Sequence, residues 1–225
     1  MIKKVITLLR QSTIGTLIIG IAFITVEPAV SHAITTTVPD TFTVTQAVDS
    51  EVGFATLASN VTMSPDIGGI TGGSSNGAVS VSVRTNDLLG YKMTLQASNS
   101  LGMQDVSSTT NYIPAYTTSG AGVPDYTFNT AANGFGYNVN ASTTTDVPLP
   151  FRWTGTSCGG AGTTVDSTHC WMGATSTAVT IINRSTPTGF GGATTTLSFE
   201  ANLIANSMLP NGNYVSTTTL TATVN

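Results

Sequence analysis

The stretch Ala78-Val79-Ser80-Val81-Ser82-Val83-Arg84-Thr85-Asn86-Asp87-Leu88-Leu89-Gly90-Tyr91-Lys92-Met93-Thr94-Leu95-Gln96-Ala97 decides the fold. Val79, Val81 and Val83 alternate with small polar residues, and Tyr91, Met93, Leu95 and Ala97 alternate with Lys92, Thr94 and Gln96. Period two puts one apolar face on each strand, and Asn86-Asp87-Leu88-Leu89-Gly90 has turn chemistry between them. The pattern predicts two strands joined as a hairpin. It recurs near the end of the chain, where Leu197, Phe199, Ala201 and Leu203 share a face. In the final strand Leu220, Ala222 and Val224 oppose Val215, Thr217, Thr219, Thr221 and Thr223.

Weaker strand signals lie at residues 42–48, 52–63, 135–139, 147–153 and 179–183. Residues 68–77, Gly-Gly-Ile-Thr-Gly-Gly-Ser-Ser-Asn-Gly, read as a long solvated connection. Eight or nine short strands with Gly, Pro and Asn turns predict an all-β fold. The expected form is an antiparallel β-sandwich, Greek-key and either immunoglobulin-like or pilin-like, rather than a parallel sheet with helical crossovers.

Composition narrows the function. The chain has 225 residues, of which only 18 are charged, while 42 are Thr and 22 are Ser. Seven basic residues and a net charge of −4 leave no means of neutralising a phosphate backbone, so no nucleic-acid partner is expected. At 40% apolar the chain is also too hydrophobic for disorder. Lys3, Lys4 and Arg10 precede the uncharged run 14–26, and Ser31-His32-Ala33 supplies small residues at a cleavage point. Residues 1–33 therefore read as a cleaved signal peptide, and residues 34–225 as one sandwich domain. Thirteen helical residues rise about 20 Å, short of a hydrocarbon core of about 30 Å, so no stable membrane insertion is expected after cleavage. The remaining chain holds four bases against ten carboxylates, a net charge of −6, and Lys92 is its one lysine.

Cys158 and Cys170 are the only cysteines, and both lie in the exported part. An oxidising compartment favours a disulfide that closes the loop 158–170. A zinc site using His169 is the alternative, but it would lack a fourth ligand at a recognisable spacing. Trp153 and Trp171 flank the loop. Exposed, they could stack on glycans; buried, they would cap the core and pack on the disulfide. No metal, cofactor or catalytic residue is assigned. His169 is the one histidine after residue 33, and no His-Glu-x-x-His occurs. Glu51 and Glu200 are the only glutamates there, and a carboxylate pair for glycoside hydrolysis would have to come from distant strands. Asp66, Asn86, Asp87 and Asp125 read as turn residues.

The stretch Asn60-Val61-Thr62-Met63-Ser64-Pro65, the Gly-rich segment after it, the strands around Asn86–Gly90 and the ending from Gly212-Asn213-Tyr214 to Thr221-Ala222-Thr223-Val224-Asn225 resemble exported bacterial β-sandwich surface proteins. The Gly-x-Tyr followed by an alternating strand is similar to the ending of spore coat protein U and fimbrial subunits. That resemblance implies a Greek-key sandwich that polymerises by strand donation.

The segment 34–44 fits such a role on its own pattern. Ile34, Val38, Phe42 and Val44 fall on one face, and mostly threonines on the other. It reads either as an arm that adds to a neighbour's sheet edge or as the first strand of the chain's own sandwich. The sequence as a whole points to an exported, noncatalytic structural or adhesive protein, secreted or at the cell surface, with self or other surface subunits as partners through strand edges. A carbohydrate-binding module that recognises glycans through Trp153 and Trp171 is the alternative, and a secreted hydrolase the third reading.

Overall fold

Among the described residues thirteen strands alternate with turns: β1 (Val52–Thr56), β2 (Gly73–Thr85), β3 (Tyr91–Ala97), β4 (Met103–Asp105), β5 (Tyr112–Ile113), β6 (Gly134–Ala141), β7 (Trp153–Thr154), β8 (Ser157–Cys158), β9 (Met172–Gly173), β10 (Val179–Arg184), β11 (Ala193–Leu203), β12 (Tyr214–Val215) and β13 (Thr218–Val224). This computed structural model describes residues 41–120 and 122–225. Contacts divide the chain into residues 1–46 and 47–225. In the first unit the described residues, 41–46, are exposed and outside regular structure. Ile34 and Val38 lie outside the described residues. No helix among the described residues is long and apolar enough to cross a membrane.

The second unit is an all-β, sandwich-like fold. A five-stranded sheet, in the order β1-β2-β11-β6-β9, faces a three-stranded sheet in the order β10-β3-β13, and every strand pairing is antiparallel. Between them lies the apolar core. Val81 and Val83 of β2 and Leu197 of β11 meet Tyr91, Met93 and Leu95 of β3, with Ile181 and Ile182 of β10. Two smaller sheets, β12-β4-β5 and β7-β8, complete the fold.

The hairpin expected at residues 78–97 is a corner instead. β2 pairs with β1 and β11, whereas β3 pairs with β10 and β13, so the chain leaves one sheet at Thr85 and enters the other at Tyr91. Each strand has one apolar face, and in a sandwich the two faces can cover each other across the core as well as lie side by side. The corner is tightly made. Asp87 Oδ1 accepts the Leu89 N–H at 2.7 Å, and the Gly90 N–H reaches the Asp87 carbonyl at 3.1 Å. Gly90 has φ +81°, where a Cβ would strike the Arg184 carbonyl.

Other expectations shift for similar reasons. The supposed loop 68–77 is half strand: residues 73–77 pair with β11 from Leu203 to Phe199. An eleven-residue template overrides the weak strand propensity of Gly and Ser. The segment 147–153 contains a 3-10 turn, Leu149–Phe151, because Pro150 cannot donate to a ladder. With Val147 it pushes Phe151 into the core against Tyr137, 5.9 Å between rings. Residues 41–50, including the alternating 42–48, form no strand. Alternation supplies a face, but a strand also needs a paired edge.

Glu200 stands on the polar side of β11, half-buried opposite Asn76 and Gly136. Burial holds its carboxyl above the usual range for glutamate. In the unfolded chain it ionises near about 4.3, so above that pH folding works against a partly desolvated charge, and the cost disappears once both states are protonated. Glu200→Gln is therefore expected to raise stability at pH 7 in urea titrations, with a gain that shrinks to nothing as the pH falls through about 4. A loss of stability, or a gain independent of pH, would contradict this assignment.

Candidate functional site

The residues that the sequence singled out lie in the disulfide loop and the segment before β1, and the flank between β1 and β13 is a third feature beside them.

Cys158 and Cys170 are bonded, with S–S 2.01 Å and Cα–Cα 5.6 Å, which removes both as zinc ligands. Among the described residues no group of three or more His, Cys, Asp or Glu could hold a metal ion. The closed loop wraps a small polar-aromatic cluster centred on Asp166. Its Oδ1 accepts the backbone N–H groups of Thr168 and His169 at 2.8 and 2.9 Å. Its Oδ2 accepts the Trp153 indole N–H at 3.1 Å and faces His169 Nδ1 at 2.7 Å. Burial opposes ionisation, but the hydrogen bonds from Thr168 and His169 outweigh it and hold this carboxyl below its ordinary value. The rings of His169, Tyr126 and Trp153 meet in a triangle, with His169 4.3 Å from Tyr126 and 4.6 Å from Trp153 and the latter two 5.6 Å apart between centroids. Asp166 and Thr168 both meet His169 at Nδ1. The arrangement orients a ring and fastens a loop, with no nucleophile hydrogen-bonded to Nε2 among the described residues.

Trp153 is half-buried in this cluster. Trp171 is only 5% exposed: its N–H donates to the Thr168 carbonyl at 2.9 Å and its ring stands edge-on to Phe128 at 5.3 Å. Phe128 in turn stacks on Tyr116 at 4.4 Å, and this layer covers the outer side of β6, where a Cβ on Gly136 would press on Tyr116 and Phe128. The two indoles therefore sit in different ring clusters and present no shared platform. Of the residues read as turn formers, Asp87 closes its own turn by accepting the Leu89 N–H, whereas Asn86 bonds the backbone of Glu51 and Asp49 across the fold. Asp125 accepts from Tyr116 and from the Ser119 N–H and hydroxyl, and these bonds hold its carboxyl low against the opposing effect of burial. The two glutamates are far apart: Glu200 pairs with Asn76 while Val52, next to Glu51, pairs with Thr85. At about 3.3 Å per residue along β2 that is roughly 30 Å, against the ~5–9.5 Å of a glycosidase pair.

The flank is what the sequence did not reveal. Between β1 and β13 the sandwich opens into a groove of about 800 Å³. One wall is the segment after β1, with Leu57 and Val61; the other is residues 215–220; the floor is core, including Val79, Phe135 and Phe199. β13 is the free edge of its sheet. The other edges are short or irregular: β9 has two residues, β1 breaks register between Phe54 and Thr56, and β10 between Thr180 and Ile182. β13 runs seven residues in unbroken register against β3, with neither charge nor proline. Short strands, bulges, lysines and prolines are the devices that keep edges from pairing, and β13 has none of them. Before β1, Phe42 and Val44 are 84% and 83% exposed.

The chain matches no protein-family model and no curated protein sequence.

The disulfide fastens a loop whose own apolar content is small. Replacing both Cys158 and Cys170 by Ser should lower unfolding free energy by about 2–4 kcal/mol, measured by urea denaturation. A change under about 1 kcal/mol would show that the Asp166 cluster holds the loop alone.

Proposed function

We propose that this protein is an exported, noncatalytic structural or adhesive subunit of the bacterial surface that associates with copies of itself, or with other surface subunits, by strand addition. The observation that carries the reading is the open flank: an unguarded seven-residue edge, β13, beside an apolar groove. A strand laid along β13 would satisfy its unpaired backbone groups, and alternate side chains would enter the groove over Val79 and Phe199. The arm 34–44 has the required alternation, with Phe42 and Val44 on its apolar face. Magnitudes show that both parts are needed. Burying one Phe and one Val contributes about 3–6 kcal/mol, while association costs about 4–15 kcal/mol, so the backbone ladder must supply the balance at about 0.5–1.5 kcal/mol per bond. Export is supported by the leader-like residues 1–33 and by the formed disulfide, which suits an oxidising compartment.

Removal of residues 34–46, and separately the pair Phe42→Ser and Val44→Ser, should convert assemblies to monomers in sedimentation velocity runs with an unchanged circular dichroism spectrum. Assemblies of undiminished size in both variants would remove the donor role.

A further inference from the structure

Where the start of β1 meets the end of β2 lies a second pocket of about 370 Å³, lined by Glu51, Gly53, Arg84, Asn86, Thr188 and Phe190 among others. Its most unusual member is Phe190, 92% exposed. The ring is presented by a built turn rather than by a loose loop. The Gly192 N–H bonds the Gly189 carbonyl at 3.0 Å, with Phe190 at the apex, and the turn is tied to the sheet by Thr188 N–H to the Thr85 carbonyl at 3.1 Å and Thr85 N–H to the Thr188 hydroxyl at 2.9 Å. Gly192 has φ +77°, and a Cβ there would lie 2.8 Å from the Val83 carbonyl, so the close approach of this turn to β2 requires glycine.

The opposite wall is equally fixed. The Glu51 N–H donates to Asn86 Oδ1 at 2.7 Å, Asn86 Nδ2 donates to the Asp49 carbonyl at 2.9 Å, and the Thr85 hydroxyl donates to the Glu51 carbonyl at 2.6 Å. All three bonds hold backbone and leave the Glu51 carboxylate unused. Among the described residues that carboxylate has no hydrogen-bond or ion-pair partner. The Arg84 guanidinium, also without either, lies 6.0 Å from the centre of the Phe190 ring. One pocket thus gathers an open aromatic face, a free multiple donor and a free acceptor on rigid supports. A ligand that uses all three has an apolar face flanked by groups that both donate and accept. Glu51 in the lining, with Asp49 two residues before it and Asp87 next to Asn86, opposes the charge of an anion.

We propose that this pocket binds a neutral saccharide, its ring face stacked on Phe190 and its hydroxyls bonded to Arg84 and Glu51. The site is independent of assembly at β13, and its test does not depend on that reading. Purified protein is applied to an array of neutral oligosaccharides including cellotriose, mannotriose and chitotriose, with trigalacturonate as the acidic member. Retention on at least one neutral glycan is expected. Phe190→Ala should weaken it tenfold or more, and Glu51→Gln and Arg84→Gln at least threefold each. Gly53→Leu, which removes no binding group but fills the pocket where a Cβ meets nothing within 4 Å, should also weaken it tenfold. Since Phe190 is exposed, the Phe190→Ala melting temperature should match that of the parent. Retention of no neutral glycan, retention of the acidic one alone, or undiminished binding by Phe190→Ala would overturn the assignment.

Discussion

The apolar faces of β2 and β3 meet across the core, joined by a connection of five residues between Thr85 and Tyr91. That contact places five strands on one side of the interior and three on the other. With neighbouring strands about 4.8 Å apart, the smaller sheet leaves roughly 10 Å of the larger one to be covered by something else. On the β6 side the cover is Val147 and Phe151, held by the turn Thr144–Asp146, where Asp146 Oδ2 receives Arg184 Nη1 at 2.6 Å. On the β1 side Val61 and Met63 of the following segment pack only partly on the core, and what they leave uncovered is the groove. The open flank is therefore a consequence of unequal sheets, and a fourth strand beside β13 is the element that would balance them.

How far the sequence reported this depends on what alternation measures. It identifies which side chains turn inward, and those assignments hold: Val79, Val81, Val83, Met93, Leu95, Leu197 and Phe199 are all buried. It carries no information about which strand lies alongside, so the same pattern served a hairpin and a corner equally well. Gly73 to Gly77 read as a loop because propensity is local, while their strand is imposed by β11 from more than a hundred residues away. The disulfide was legible because two cysteines allow one pairing. The positions of the indoles were not, since burial of Trp171 depends on Phe128 and Tyr116, contributed by a segment with no periodic signal.

The groove and the Phe190 pocket were invisible for different reasons. A groove is an absence of cover, which no residue encodes. Phe190 sits among glycines in Thr188-Gly189-Phe190-Gly191-Gly192, a context that gives a loop but not the side on which its ring stands. The scarcity of charge was the one compositional hint toward edges. Lys92 points outward from the central strand β3, so the single lysine after residue 33 guards no edge at all. Threonine takes its place along β13, where Thr219, Thr221 and Thr223 are exposed and Leu220 and Ala222 turn inward. Hydroxyls hydrate such a surface without repelling an incoming strand.

Hydrogen exchange of the β13 amides tests this account most directly. Read by mass spectrometry on dilute and concentrated protein, the outward-facing amides of residues 218–224, those not bonded to β3, should exchange rapidly when the protein is dilute and become protected on association, while β3, paired on both sides, stays protected throughout. Assemblies in which β13 exchanges as fast as in the dilute protein would contradict the claim that this edge is where subunits join.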